Sequence, residues 1–142
     1  MLAGQVALIV AAAFASAAFY INFAEHPARM ALPPKLAVRQ WAPSYKRGFA
    51  MQATLAIVGG VSAIAAWYLG GGGLWLLGGL VLLANWPFTM LAIMPTNHRL
   101  LDSDSLSDQQ VAALLQRWNR LHGVRTGLGA LALAMLLIAS LG

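Results

Sequence analysis

The most regular feature of this chain is the alternation of long apolar runs with short polar stretches. The apolar runs lie at residues 2–24, 49–69, 74–94 and 121–141. Each is about twenty residues or longer, enough to cross a hydrocarbon core of roughly 30 Å as an α-helix. No run alternates polar and apolar residues with a period of two, which a membrane β-barrel requires. The pattern predicts an all-α, integral membrane four-helix bundle.

Polar side chains gather at only one set of the predicted helix ends. They are Asn22, Glu25, His26 and Arg29 on the first run, Trp41, Tyr45 and Gln52 before and in the second, Thr96, Asn97, His98 and Arg99 after the third, and Trp118, Asn119, His122 and Arg125 around the start of the fourth. The opposite ends carry a glycine run at 70–73 and the two termini. Ionisable groups in a membrane protein are costly and commonly mark a functional site. The sequence therefore predicts a site at the polar ends.

Composition and charge placement give the expected environment and orientation. The 142 residues are 60% hydrophobic and 9% charged, with a net charge of +5, and a soluble domain has about 25% charged residues. Eight of the nine Lys and Arg residues lie in the two polar stretches, between runs one and two and between runs three and four. Because these residues accumulate on the cytoplasmic side, we predict a multi-pass cell-membrane protein with both large loops cytoplasmic and both termini outside. The basic charge then indicates contact with membrane lipids and no nucleic-acid partner.

Prolines and caps predict where the helices bend, begin and end. Pro27 should kink the first helix or start a new one, and Pro87 should kink the third and free a carbonyl that needs a partner. The prolines at 33 and 34 should end the first helix, leaving residues 40–46 as an interfacial stretch with Trp41 at headgroup level. A capping residue among Asp104, Ser105 and Ser107 should start a long, partly cytoplasmic fourth helix that continues to Ala139.

Helical spacing places several polar residues on common faces. Trp118, His122, Arg125 and Gly129 form one narrow stripe, and Asn85, Thr89, Ala92 and Thr96 form another. Arg125 precedes an uninterrupted apolar run and should need a partner, so we predict an ion pair of Glu25 with either Arg125 or Arg29. Alternatively, Arg29 extends to the headgroups, and Trp41, Tyr45 and Trp118 are typical interface anchors.

A metal site is only weakly indicated. Glu25, His26 and His122 match the ligand types of a non-haem iron site, but adjacent Glu25 and His26 cannot point the same way on a helix. The chain has no cysteine, which excludes thiolate ligation and thiol catalysis. We therefore expect no cofactor, with a metal ion as the alternative.

The chain resembles the anthrone oxygenase-like family of small four-span membrane proteins. The resembling stretches are residues 22–29 (NFAEHPAR), 41–45 (WAPSY), 95–100 (PTNHRL) and 118–125 (WNRLHGVR). The resemblance implies oxidation of polycyclic anthrones to anthraquinones by molecular oxygen, without an obvious cofactor motif. It makes His26, Asn97, His122 and Arg125 the candidate catalytic residues.

The leading hypothesis is a membrane-embedded oxygenase that acts on a planar hydrophobic, anthrone-like or phenolic molecule. A neutral His26 or His122 would remove a proton, and Arg125 or Arg29 would stabilise the enolate together with Asn22 or Asn97. The substrate-binding candidates are Asn22, Glu25, Arg29, Tyr45 and Trp118. The alternatives are a non-catalytic protein that binds a lipid, quinone or aromatic ligand, and a metal-dependent membrane enzyme.

Overall fold

Four helices arranged in a ring make up the protein. The computed structural model describes residues 1–142 and contains helices without strands. The four helices long and apolar enough to cross a membrane are α1 (Leu2–Met30), α2 (Pro34–Tyr68), α3 (Gly73–Leu101) and α4 (Asp108–Leu141). The main contacts join α1 to α2, α2 to α3, α3 to α4 and α4 back to α1. The predicted all-α membrane bundle is confirmed.

All four helices extend further than the apolar runs at the polar end. The largest difference is in α2, which begins at Pro34 and runs through Pro43 without a break. The prediction of an interfacial stretch with Trp41 at headgroup level is wrong, because Trp41 is fully buried. Arg39 and Lys46 lie on the exposed side of this helix, so the charges that resembled a membrane interface belong to one face of a helix whose other face is packed.

Two wider, π-helical turns interrupt the regular helices. Residues Ile21–Glu25 of α1 and Thr89–Ile93 of α3 are π-helical. The first is closed by a bond from the His26 N–H to the Ile21 carbonyl, the second by a bond from the Met94 N–H to the Thr89 carbonyl. In both cases the last donor immediately precedes a proline, which has no N–H to continue the ladder.

The helix α3 is interrupted close to Pro87, where the sequence predicted a kink. The helix is interrupted at Ala84, between Gly73–Leu83 and Asn85–Phe88. The Asn85 side chain donates a 3.0 Å hydrogen bond to the Leu82 carbonyl. Asn85 thus adds a side-chain bond at the interruption, whereas the carbonyl that Pro87 leaves without its usual backbone N–H is that of Leu83.

The bundle has two apolar cores at different depths. The distal core, near the glycine turn, is built from small residues of α1 and α2 with Phe14, Trp75, Leu82 and Leu136. The loop-end core contains Ala37, Trp41, Ile93, Leu100, Val111, Leu114, Leu115 and Trp118. Trp118 is therefore a buried core residue and not the interface anchor predicted as an alternative. Between the two cores lies a layer of buried polar side chains.

Two polar contacts fix the loop end. Ser107 caps α4 through a capping box with Gln110, as predicted from the cap candidates. The Lys35 ammonium donates hydrogen bonds to the carbonyls of Ser103, Asp104 and Leu106, at 2.9, 3.3 and 2.7 Å. The start of α2 is thereby joined to the turn that precedes α4.

Candidate functional site

A cleft lies between the two apolar cores and receives residues from all four helices. Its empty space is about 400 Å³, but the centre of a water molecule fits in only about 20 Å³ of it. That is room for one or two waters, so the cleft is narrow. The lining residues are Ile21, Glu25, Arg29, Ser44, Tyr45, Gly48, Phe49, Gln52, Thr89, Ile93, Asn97, Trp118, His122 and Arg125.

Both π-helical turns border this cleft. Ile21 and Glu25 come from the turn in α1, and Thr89 and Ile93 from the turn in α3. A π turn inserts one residue into a helix and redirects the side chains around it, and such turns are frequent at functional sites. Here the two turns face the space into which α4 directs His122 and Arg125.

His122 is held in a defined orientation by Asn22. The Asn22 Nδ2 donates to the backbone carbonyl and to Oδ1 of Asn119, at 3.0 and 2.7 Å. A backbone carbonyl only accepts, so this bond fixes the amide and leaves Oδ1 as the acceptor for the neighbouring side chains. Asn22 Oδ1 accepts a hydrogen bond from Thr126 Oγ1 at 2.6 Å and lies 2.9 Å from His122 Nδ1.

This geometry determines the tautomer of a neutral His122. Because Asn22 Oδ1 can only accept, His122 Nδ1 must carry the proton, and Nε2 keeps its lone pair. Nε2 forms no hydrogen bond, and His122 borders the cleft although it is only 2% exposed. The arrangement places a proton acceptor at a buried site. It also commits both amide hydrogens of Asn22 to Asn119, so Asn22 has no hydrogen left for an enolate oxygen.

Arg125 is a buried cation without a carboxylate partner. It is 7% exposed, and its Nε has no hydrogen-bond acceptor. The guanidinium carbon lies 5.7 Å from the centre of the Phe14 ring, a cation–π distance. The single ion pair of the protein joins Arg29 Nη2 to Glu25 Oε1 at 2.7 Å. Of the two predicted pairings of Glu25, the one with Arg29 is therefore present and the one with Arg125 is not.

Glu25 and Arg29 belong to a polar cluster at the edge of the cleft. Glu25 also accepts hydrogen bonds from Ser44 and Gln40, and Arg29 Nε donates to Gln40. The guanidinium of Arg29 lies 5.5 Å from the Trp118 ring centre. Arg29 is 3% exposed, so the alternative in which it extends to the headgroups is wrong. Its charge is neutralised within the protein.

His26 lies beside the cleft without bordering it. Its ring is 3% exposed and packs against Trp118, with the ring centres 6.2 Å apart. Both ring nitrogens are buried without a hydrogen-bond partner. Glu25, His26 and His122 do not come together as a ligand set, and no group of three His, Cys, Asp or Glu residues is placed to share a metal ion.

The remaining predicted residues divide between the cleft and the surface. Asn97, Tyr45 and Trp118 border the cleft, and the Asn97 Oδ1 is buried without a partner. His98 is exposed and lies in a helix. Gly129 leaves no room for a ligand, because a Cβ there would be 2.8 Å from the Phe14 ring.

Four polar residues that were not among the predicted catalytic or substrate-binding residues also take part, and only Gln52 of these had been counted among the polar residues at the helix ends. Gln52 borders the cleft, 1% exposed and with its Nε2 unpartnered. Ser44 and Gln40 bind Glu25, and Thr126 binds Asn22. Gln52 interrupts an otherwise apolar run, and this pattern could have made it a candidate site residue. Ser44 and Gln40 became candidates only once residues 40–46 were known to be helical.

Comparison with known proteins identifies a family. The family model described as anthrone oxygenase matches residues 41–135 of the chain. No curated protein and no solved structure matches. The matched region includes α3, most of α2 and α4, and therefore His122, Arg125, Gln52 and Asn97.

Proposed function

Since the chain belongs to the anthrone oxygenase family, we propose that it is a membrane-embedded oxygenase for a planar hydrophobic substrate with an acidic C–H or phenol group. The observation that carries this proposal is the fixed His122, a residue of the cleft lining whose Nε2 lone pair is free, in the same lining as the unpaired Arg125. A neutral imidazole of this kind is suited to act as a general base. The adjacent cation is suited to stabilise the anion that proton removal creates.

The reaction follows from these two groups and dioxygen. His122 Nε2 takes a proton from a CH₂ group beside an aromatic ring system, and the electron pair moves onto the conjugated carbonyl oxygen, near Arg125. The enolate then transfers electrons to dioxygen, and a carbon–oxygen bond forms. Breakage of the O–O bond leaves one oxygen atom on the carbon as a carbonyl. The other oxygen leaves as water with the two hydrogens of the CH₂ group, so the substrate is oxidised and dioxygen is reduced.

The surroundings of the site suit this chemistry. Apolar side chains of Ile21, Phe49 and Ile93 border the cleft, and exclusion of water strengthens the electrostatic interactions inside it. The cleft is too narrow for a tricyclic ring in its present form. Substrate binding therefore requires movement of lining side chains, for which partly exposed Tyr45 and Phe49 are the best placed.

The proposal is tested with anthrone as the probe. Purified protein in nanodiscs is supplied with anthrone and oxygen, and anthraquinone formation and oxygen uptake are followed after subtraction of spontaneous oxidation. We expect His122→Gln to lower kcat by about 100-fold or more, as expected for loss of a general base. His98→Gln on the exposed face of α3 is the matched control and should retain full activity. Equal turnover by the parent and His122→Gln would exclude His122 as the base.

A further inference from the structure

We propose that the cleft binds its aromatic ligand as a monoanion, with the charged oxygen of the ligand held by Arg125. This inference rests on the proposed function and narrows its substrate class to planar molecules that carry one ionised oxygen on the ring system. It differs from stabilisation of a transient enolate, because it applies to the resting complex. It can therefore be measured with a ligand that does not react.

The first argument is the charge of the cleft. Three charged side chains border it, and Glu25 and Arg29 neutralise each other. Arg125 then leaves one uncompensated positive charge. The other acidic residues of the chain, Asp102, Asp104 and Asp108, are exposed in and beside the turn before α4. A buried charge without a partner is costly, and a ligand with one negative charge removes that cost.

The second argument is an excess of hydrogen-bond donors. Arg125 Nε, Arg29 Nη1 and Gln52 Nε2 are buried and have no acceptor. They come from α4, α1 and α2, and each residue is less than a tenth exposed. The unpartnered acceptors of the same cleft are Asn97 Oδ1 and the Nε2 lone pair of His122, fewer than the three donors. An anionic oxygen accepts several hydrogen bonds and donates none, so it fits this donor set better than a neutral hydroxyl or amide.

The third argument is shape. The cleft has about 400 Å³ of empty space, of which only about 20 Å³ admits the centre of a water molecule, so its walls lie close together. Its walls include Trp118 and Tyr45, and the Tyr45 ring stacks on Trp41 with the ring centres 4.8 Å apart. A flat aromatic ring matches these walls better than a tetrahedral phosphate headgroup does.

The experiment compares an acid with its neutral counterpart. Binding of 2-naphthoate and of 2-naphthamide to the nanodisc-embedded protein is measured by quenching of tryptophan fluorescence, with empty nanodiscs as the blank. We expect the naphthoate to bind about 10- to 100-fold more tightly, as expected for charge-assisted hydrogen bonds. Arg125→Gln should remove this preference, because it weakens naphthoate binding far more than naphthamide binding. Arg117→Gln, on the exposed part of the same helix, should keep it.

Two further variants keep the test decisive if Arg125→Gln does not fold. Arg125→Lys retains the charge and should retain most of the preference for the acid. Gln52→Leu removes one donor without changing the charge and should weaken naphthoate binding several-fold while sparing the amide. Equal affinities of the parent for acid and amide would overturn the proposal. Dodecanoate binding as tightly as naphthoate would overturn its planar part.

The same measurements separate this inference from the oxygenase proposal. If the protein prefers naphthoate but does not oxidise anthrone, the oxygenase proposal is wrong and the anion site is retained. The protein would then match the alternative of a non-catalytic ligand-binding protein. If the protein oxidises anthrone but shows no preference for the acid, the anion site is wrong and the oxygenase proposal is retained.

Discussion

At the scale of single residues, one backbone carbonyl determines the chemistry of the proposed base. The Asn119 carbonyl orients the Asn22 amide, and the Asn22 oxygen then assigns the proton of His122 to Nδ1. Asn22 was predicted to contact the substrate, but its contacts indicate that it positions His122. Thr126 Oγ1 donates to the same oxygen.

Removal of the Asn22 acceptor should allow His122 to adopt both neutral tautomers. We expect Asn22→Leu to lower kcat on anthrone by about 10-fold or more with a small change in KM, because removal of a partner that orients a functional histidine is commonly that costly. Histidine ¹⁵N NMR provides a readout independent of turnover: the His122 signals should show protonated Nδ1 in the parent and a mixture in the variant. Thr126→Val leaves the Asn22–His122 bond in place and should preserve the NMR pattern. An unchanged tautomer in Asn22→Leu would refute the positioning role.

At the scale of helices, close contacts depend on small residues at particular positions. Gly123 and Gly127, one turn apart on α4, have a spacing that often marks a close helix contact, but they do not form one. A Cβ at Gly127 would meet nothing within 4 Å, and the nearest atom to one at Gly123 is 4.0 Å away. The close approach occurs instead at Gly129, where Phe14 of α1 occupies the space. The same Phe14 lies beneath the guanidinium of Arg125.

Gly129 and Gly127 therefore form a matched pair for mutation. Gly129→Ala should destabilise the protein by about 1–3 kcal/mol, because the new methyl group displaces the Phe14 ring from a packed position. Gly127→Ala should have no destabilising effect, since alanine is the better helix former and the space is open. Thermal unfolding of both variants in the same detergent provides the comparison. A lower melting temperature for Gly127→Ala than for Gly129→Ala would contradict this account.

The number of helices and the depth of the site were predictable from the sequence because both depend on local patterns. Long apolar runs specify membrane helices, and the stripe of Trp118, His122, Arg125 and Gly129 is buried as its spacing predicts. The helical part of α2 before residue 49 was not predictable, because its inward face shows only Ala37 and Trp41 between charged residues. The partner of Glu25 also depended on tertiary geometry, since Arg29 and Arg125 were both plausible.

At the scale of the whole molecule, the orientation in the membrane remains a prediction. The connections at 31–33 and 102–107 lie at the end that carries the Lys and Arg residues, and the glycine turn lies at the other end beside both termini. The positive-inside rule then places the connections in the cytoplasm. The absence of cysteine from the sequence makes the test direct.

Single cysteines at the two ends should respond differently to a reagent that does not cross membranes. We expect Gly72→Cys to react with an impermeant maleimide on intact cells, and Asp102→Cys to react only after the membrane is opened. Both positions are outside the packed cores, so neither change should disturb the fold. Labelling of Asp102→Cys from outside intact cells would reverse the assigned orientation.

The distal core limits the routes by which a molecule can enter and leave the cleft. Phe14 and Leu82 fill the bundle beyond the cleft, and Gly59, Gly78 and Gly129 let neighbouring side chains close the remaining gaps. None of the residues that line the cleft also lines the pocket beside the glycine turn. We therefore expect a molecule bound in the cleft to enter and leave through the same half of the protein. With the predicted orientation and the proposed function, substrate and product would exchange with the inner leaflet or the cytosol.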